Sequence, residues 1–371
     1  MLKRCDVFNT NRKEYYLLNK DVKVARFHIS ELGTPVIDNV YTKLPYWLDD
    51  LSIFISNRRA PKNRENIEQL LKMSGCDTIE GYLDITHALS LIDTFWVKQI
   101  DSPLNWDSVS LFIHEFNETI AEAAFEGKLQ GVEFSTTSPE YGTDGSFAKC
   151  WVRENSIIKM LKRGSSGARN AGLEPYSEFY ASQLVKEFTN HYVGYGLRSR
   201  QGKVYSVCDC FTDEQYGYLP YAAIDRGNTS IDKVLRKMDN IGFLDKVKTM
   251  FIIDAIIFNE DRHKNNFGFL VDNDKQEILD MAPLFDHNIS LLPYTEEEDF
   301  HNLEKYLFMK GPRIGDDFFI IAKYCLTPET RKVLIRLKDF EFTRHPKYNL
   351  PEWRLKELEN LVQRNIRKIL E

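Results

Sequence analysis

Residues 259–269 read Asn-Glu-Asp-Arg-His-Lys-Asn-Asn-Phe-Gly-Phe, and this stretch decides how the rest of the chain is read. Before it, Leu244, Val247, Phe251, Asp254 and Phe258 recur at a three-four spacing. That spacing predicts one long helix over 243–258. After it, 267–271 and 277–279 read as a short hairpin turned at Asn273-Asp274. The polar residues between helix and hairpin therefore sit in a loop held at both ends. Within that loop, Asp261 and Asn266 stand five apart.

Twenty residues beyond Asn266, an apolar stretch closes on Ala282-Pro-Leu-Phe-Asp-His-Asn288. Transfer of a phosphoryl group needs a carboxylate that orients the acceptor hydroxyl and takes its proton. It also needs an amide oxygen nearby to hold magnesium. The D-x-x-x-x-N spacing is that of a protein-kinase catalytic loop. Asp286, just past the hairpin, adds a second oxygen ligand for the same ion. Magnesium prefers few carboxylates, retained waters and phosphate oxygens, and one carboxylate with one amide fits that preference. Each motif alone is short, and each also reads as a polar loop or turn. Their order and the hairpin-length insert between them favour the phosphotransfer reading.

The chain has 371 residues, which suggests two or three structural units, and 43 % hydrophobic residues, enough to fill real cores. A net charge of −6 gives no electrostatic case for direct nucleic-acid binding. The six cysteines form no CxxC pair, so neither a zinc site nor a disulfide framework is expected; Cys208 and Cys210 read as strand packing. No signal-peptide pattern opens the sequence and no stretch is apolar enough to span a membrane. The expectation is a cytoplasmic protein with no membrane partner.

Residues 1–130 read as a first region, with helices at 63–73 and 108–126 and a solvated basic group at Arg58, Arg59, Lys62 and Arg64. Residues 131–211 read as a small α+β unit. Its strands are expected at 147–152, 156–161, 193–198 and 204–211, with one helix at 175–189. From 212 to 371 the chain reads as mostly helical, with helices at 300–310, 318–324, 328–337 and 351–370. A sheet-rich lobe followed by a larger helical lobe is the kinase arrangement.

Asn259-Glu-Asp-Arg-His-Lys-Asn-Asn-Phe and Pro283-Leu-Phe-Asp match the N-x-D-x-H-x-x-N-F loop and the P-x-x-D metal site of one family. In these motifs the chain resembles the HipA-like serine/threonine kinases over about residues 135–371. The resemblance implies a bilobal α+β protein-kinase-like fold with an extra N-terminal docking or regulatory region at 1–130. It implies Asp261 as catalytic base, Asn266 and Asp286 as magnesium ligands, and ATP as the phosphoryl donor. It also places Lys159 on the strand that grips the α- and β-phosphates, and Glu178 on the following helix as its partner. A buried lysine needs such a partner, since its isolated charge is costly to bury; Lys162 takes the role if the strand register differs. The segment Tyr141-Gly-Thr-Asp-Gly-Ser-Phe-Ala-Lys149 lies where a phosphate-covering loop belongs, with Gly142, Gly145 and Lys149 as its contributors. Asp209 and Phe211, in the segment where the lobes join, stand near the adenine edge. His263 bonds backbone around the metal residue.

His263 follows Asp261, whereas a His precedes the Asp in common protein kinases, and Asp286 is followed by His-Asn rather than Phe-Gly. Both features fit the HipA-like branch. D-R-H-x-x-N also occurs in phosphatidylinositol kinases, which keeps a lipid or small-molecule acceptor as an alternative; the acidic balance argues against it. A nucleotide-binding module without turnover is the third reading. The resemblance further implies a toxin held by a small DNA-binding antitoxin. Autophosphorylation near the phosphate loop is also implied, at Ser135, Thr136, Thr137, Ser138 or Ser146.

Overall fold

The structure is a computed structural model that describes residues 13–132, 136–167, 170–227 and 230–371. Ser135 lies outside them. The chain divides into two compact units. One runs to Ser146 and takes in Asp213–Gln215 and Asn273–Gln276; the other holds the remainder from Phe147 onward.

In the first unit, β1 (Glu14–Asn19), β2 (Val22–Ile29), β3 (Pro35–Val40) and β4 (Phe95–Gln99) form an antiparallel sheet in the order β3-β2-β1-β4. Five helices accompany it: α1 (Leu51–Asn57), α2 (Ile67–Met73), α3 (Ile79–Thr86), α4 (Trp106–Val109) and α5 (Glu118–Glu126). Tyr15, Leu17 and Phe27 from the sheet pack with Ile55, Leu70, Tyr82 and Ile120 from the helices, and with Tyr141. Sequence reading missed this sheet. It also predicted one helix over 108–126, where two occur. Ser110 leaves helical geometry with ψ 121. Asn117 then starts a new helix by accepting from the N–H groups of Thr119 and Ile120. Apolar spacing carried the expected helix across a break that capping chemistry dictates. The helix expected over 63–73 starts at Ile67, because Asn66 adopts a left-handed φ of +66.

The basic group at 58–64 is not a solvated face. Arg58 and Arg64 are both buried. Arg58 donates to the carbonyls of Ala88 at 2.9 Å and Phe95 at 3.1 Å, and pairs with Asp93. Arg64 donates to the carbonyls of Thr143 and Glu140, both at 2.7 Å. The two guanidiniums thus fasten the backbone at Ala88 and Phe95 and at Glu140 and Thr143.

The second unit opens with β5 (Lys149–Glu154), β6 (Ile157–Arg163), α6 (Glu174–Val185), β7 (Gly196–Arg200) and β8 (Lys203–Asp209). The strands pair antiparallel in the order β5-β6-β8-β7. A three-stranded sheet follows, β11-β10-β9, from β9 (Tyr216–Pro220), β10 (Gly268–Asp272) and β11 (Glu277–Met281). The rest is helical: α7 (Tyr221–Ile224), α8 (Ile231–Asn240), α9 (Leu244–Ile257), α10 (Glu297–Phe300), α11 (Leu303–Phe308), α12 (Phe318–Cys325), α13 (Pro328–Arg336) and α14 (Glu352–Leu370). α9 is apolar on nearly every side, and helices α8, α12 and α14 pack around it. It is the central post on which the polar loop after it is mounted. Among the described residues, no helix is long and apolar enough to cross a membrane.

Replacing Arg58 with alanine strands Asp93 and two buried carbonyls. The expected cost is about 3–5 kcal/mol in urea unfolding. Arg59→Ala, at a half-buried neighbour, is expected to cost less than about 1 kcal/mol.

Candidate active site

α9 ends at Phe258, whose φ of +54 lets its N–H close on the Asp254 carbonyl. Asp254 then receives the loop that follows. Asn259 Nδ2 donates to its Oδ1 at 3.0 Å. Arg262 donates through Nε to Oδ2 at 3.0 Å and through Nη2 to Oδ1 at 3.0 Å. Both partners of this ion pair are almost wholly buried. The same guanidinium reaches onward: Nη1 donates to the carbonyls of Asn266 at 2.6 Å and Phe285 at 2.9 Å. Nη2 also stands 3.3 Å from His287 Nδ1. A guanidinium only donates, so Nδ1 accepts and His287 is neutral there. Burial and the Arg262 charge push this imidazole well below its usual pKa. One buried cation therefore ties the loop at 259–266 to the segment at 285–287.

Asn266 is held through its amide nitrogen. Its Nδ2 donates to the Asp261 carbonyl at 3.2 Å, which turns Oδ1 the other way. No donor to that Oδ1 is recorded among the described residues. Asp286 has a φ of +56, a strained choice for a residue with a side chain. Its N–H donates to Tyr195 Oη at 3.0 Å. Tyr195 is delivered there because the stretch before β7 is laced to Leu284: Val193 N–H donates to the Leu284 carbonyl at 2.9 Å, and Leu284 N–H to the His191 carbonyl at 3.1 Å.

The lysine that meets these acids is Lys162, not Lys159. Lys162 Nζ lies 2.9 Å from Glu178 Oε1 and 2.5 Å from Asp286 Oδ1. Ser206 Oγ also donates to the Glu178 carboxylate. Burial alone would lower the Lys162 pKa, but the Asp286 and Glu178 carboxylates more than offset it and hold it above the usual range. Burial likewise pushes the Asp286 carboxyl up, and the Lys162 and Lys149 ammoniums outweigh that and hold it below the usual carboxylate range. Lys149 is buried on β5, directly across from Lys162 in the β5–β6 register.

Lys159 is a correction with a simple cause. β6 runs over Ile157–Arg163, two residues further than expected, and successive side chains on a strand alternate between faces. Lys162 therefore shares the α6 face with Met160, while Lys159 points the other way. There it pairs with Asp209, its register partner on β8. Phe211 joins an aromatic group with Tyr218 and Phe285, ring centroids 5.3–5.6 Å apart, directly before Asp286. Gly142 and Gly145 belong to the first unit. A Cβ on Gly142 would lie 2.9 Å from the Arg58 carbonyl, so the close approach that glycine permits there is to its own unit's backbone. His263 Nδ1 accepts from the Asn265 N–H at 3.2 Å. A cavity of about 360 Å³ lined by α6, β7 and β8 residues includes Lys159, Asp209 and Tyr195 in its lining, but not Asp261, Asn266 or Asp286.

Arg262 and Tyr195 escaped the sequence reading. Arg262 lies inside the opening motif, and its charge eight residues after Asp254 is the signal by which it could be found. Nothing local marks Tyr195.

No family model matches the chain. Over 137 residues, 33 % of its length, it is 27 % identical to the serine/threonine-protein kinase CtkA of Helicobacter pylori. The chain spans 42 % of that relative's length. The crystal structure of the proinflammatory kinase CtkA of H. pylori is 17 % identical and covers 63 % of this chain and 92 % of its own, with a TM-score of 0.48. A HipA of Shewanella oneidensis, solved with HipB and operator DNA, covers 96 % of this chain and 97 % of its own, at 10 % identity and a TM-score of 0.57. The chain resembles HipA in fold. The likeness extends across both units, and the HipA-like motifs lie in the second.

Exchanging Lys162 for methionine leaves the buried Glu178 and the half-buried Asp286 without their cation and is expected to cost about 3–5 kcal/mol in urea unfolding. Lys159→Ala removes a pair whose Asp209 carboxylate is 61 % exposed and is expected to cost about 0–1 kcal/mol. Equal costs would place the buried pairing at the wrong lysine.

Proposed function

We propose that the chain is an ATP- and magnesium-dependent serine/threonine protein kinase of HipA-like type. The observation that carries this reading is the meeting of Lys162, Glu178 and Asp286 at one point, tied through Arg262 to the Asp261–Asn266 loop. Lys162 and Lys149 supply positive charge for phosphates, with Glu178 holding Lys162 in place. The Asn266 Oδ1 and the Asp286 carboxylate are the hard oxygen donors that magnesium prefers. When bound, the ion would neutralise charge on the β- and γ-phosphates.

In this reading Asp261 accepts the proton of the acceptor hydroxyl. The acceptor oxygen bonds to the γ-phosphorus as the bond to the β–γ bridging oxygen breaks, and ADP leaves. Phe211, Tyr218 and Phe285 offer an apolar wall beside the site. The β5–β8 sheet with α6 is the smaller lobe and the helices around α9 the larger. The unit that ends at Ser146 is a docking or regulatory region. The HipA of similar fold was solved with HipB and operator DNA. By that likeness a small antitoxin is the proposed partner and the cytoplasm the proposed compartment.

Incubation with γ-labelled ATP and magnesium should label the chain itself or an added protein. EDTA should abolish the label, and Asp261→Ala should lower the rate by roughly 10²–10⁴-fold. Labelled phosphoinositide with no labelled protein would redirect the reading to a lipid kinase. Undiminished transfer by the Asp261 variant would remove that residue from the mechanism.

A further inference from the structure

Asp261 carries an ion pair that the scheme above does not use. Arg313 Nε stands 2.9 Å from Asp261 Oδ1. Arg313 lies in the loop that joins α11 to α12, and that loop is fixed on both sides of it. Before it, Lys310 Nζ pairs with Glu260 at 3.1 Å, one residue from Asp261. After it, Ile314 is buried in a depression lined by Phe251, Asp254, Arg262 and Phe318. It is thus seated on the groups that position the 259–266 loop. Gly315 has a φ of +89, and a Cβ there would fall 2.5 Å from Ile321 Cδ1, so glycine alone makes this turn so near α12 without strain.

The Arg313 side chain is 60 % exposed. A pair that exposed adds about 0–1 kcal/mol to folding. Ile314 and Lys310 hold the loop whether or not the guanidinium is present. A rigid support therefore delivers a cation, nearly neutral for stability, to the one carboxylate read as the base. The contact is an ion pair whose closest approach is from Nε to Oδ1. An arginine differs from a lysine here because its planar, weakly hydrated guanidinium can rest against the carboxylate where a compact, strongly hydrated ammonium would hold water.

We propose that Arg313 is a positioning residue for the acceptor step. By holding Oδ1, it fixes the rotation of the Asp261 carboxylate so that Oδ2 meets the incoming hydroxyl. The proposal rests on the reading of Asp261 as the base, and the test separates the two. Initial rates of label transfer from γ-labelled ATP to casein and to the chain itself are measured for the wild type, Arg313→Ala, Arg313→Lys and Asp261→Ala.

Arg313→Ala is expected to lower kcat by roughly 10- to 100-fold, the scale of a small misplacement of a catalytic group. KM for ATP and the melting temperature should stay as in the wild type. Arg313→Lys should recover only part of the rate. Millimolar guanidinium chloride should partly rescue Arg313→Ala and leave Asp261→Ala inactive. A wild-type rate for Arg313→Ala beside a dead Asp261→Ala overturns the positioning role and leaves the base intact. A rate loss matched by a lowered melting temperature, without rescue, also overturns it by making Arg313 structural. Full activity of Asp261→Ala, or no transfer by the wild type, removes the base reading and this proposal together.

Discussion

The buried ion pair between Asp254 and Arg262 is the constraint on which the candidate site depends. A guanidinium in a helical core must have its charge answered and its donors accepted, because an isolated buried charge is far more costly than any single side chain's packing returns. Asp254, one turn before the end of α9, answers the charge. The remaining donors go to the carbonyls of Asn266 and Phe285, from two segments about twenty residues apart. Those carbonyls belong to a proposed metal ligand and to the residue before the other. The loop conformation is thus specified by the need to satisfy one cation, and the backbone at Asn266 and that just before Asp286 are held by the same guanidinium.

A second charge balance meets the first at Asp286. Lys149 and Lys162 face each other across β5 and β6, a placement that like charges ordinarily disfavour. The carboxylates of Glu178 and Asp286 make it tolerable. α6 contributes one and the segment after the hairpin the other, so the sheet, the helix and the α9 loop are coupled through a few buried groups. In such an arrangement each partner's removal leaves another charge uncompensated, and the effects of single changes do not add.

Much of this was legible in the sequence. The helix over 243–258 occurs as α9 over Leu244–Ile257, the hairpin follows it, Asp261 and Asn266 lie in the loop between them, and Asp286 lies after the hairpin. These features are local: apolar periodicity, short loops and polar motifs whose order along the chain carries the signal. What could not be read was register and what lies across the fold. Ile157, Ile158, Met160 and Leu161 are apolar on both faces of β6, so alternation does not say whether Lys159 or Lys162 faces α6. Only pairing with β8 decides it, through Ser206 opposite Lys162 and Asp209 opposite Lys159. Arg58 and Arg64 looked like surface charge because their acceptors, carbonyls some 30 and 80 residues distant, leave no local trace.

Two residues with side chains sit in the left-handed region at the margins of the site, Phe258 at φ +54 and Asp286 at φ +56. Such geometry costs about 1–2 kcal/mol per residue and persists only where neighbours overdetermine it. Phe258 is buried and packs its ring on Phe318, 4.5 Å between centroids, while its N–H terminates α9. Asp286 is held by Tyr195 at its N–H and by Lys162 at its carboxylate. Phe258 sets where the Asn259–Asn266 loop departs from its helix, and Asp286 aims its carboxylate at Lys162, which Glu178 also meets. The strain is therefore placed at the points where the chain must change direction to bring that loop and the post-hairpin segment to the same guanidinium. Relaxing either residue toward ordinary helical or extended geometry would turn its segment away from Arg262 and reopen the charge imbalance that Arg262 closes.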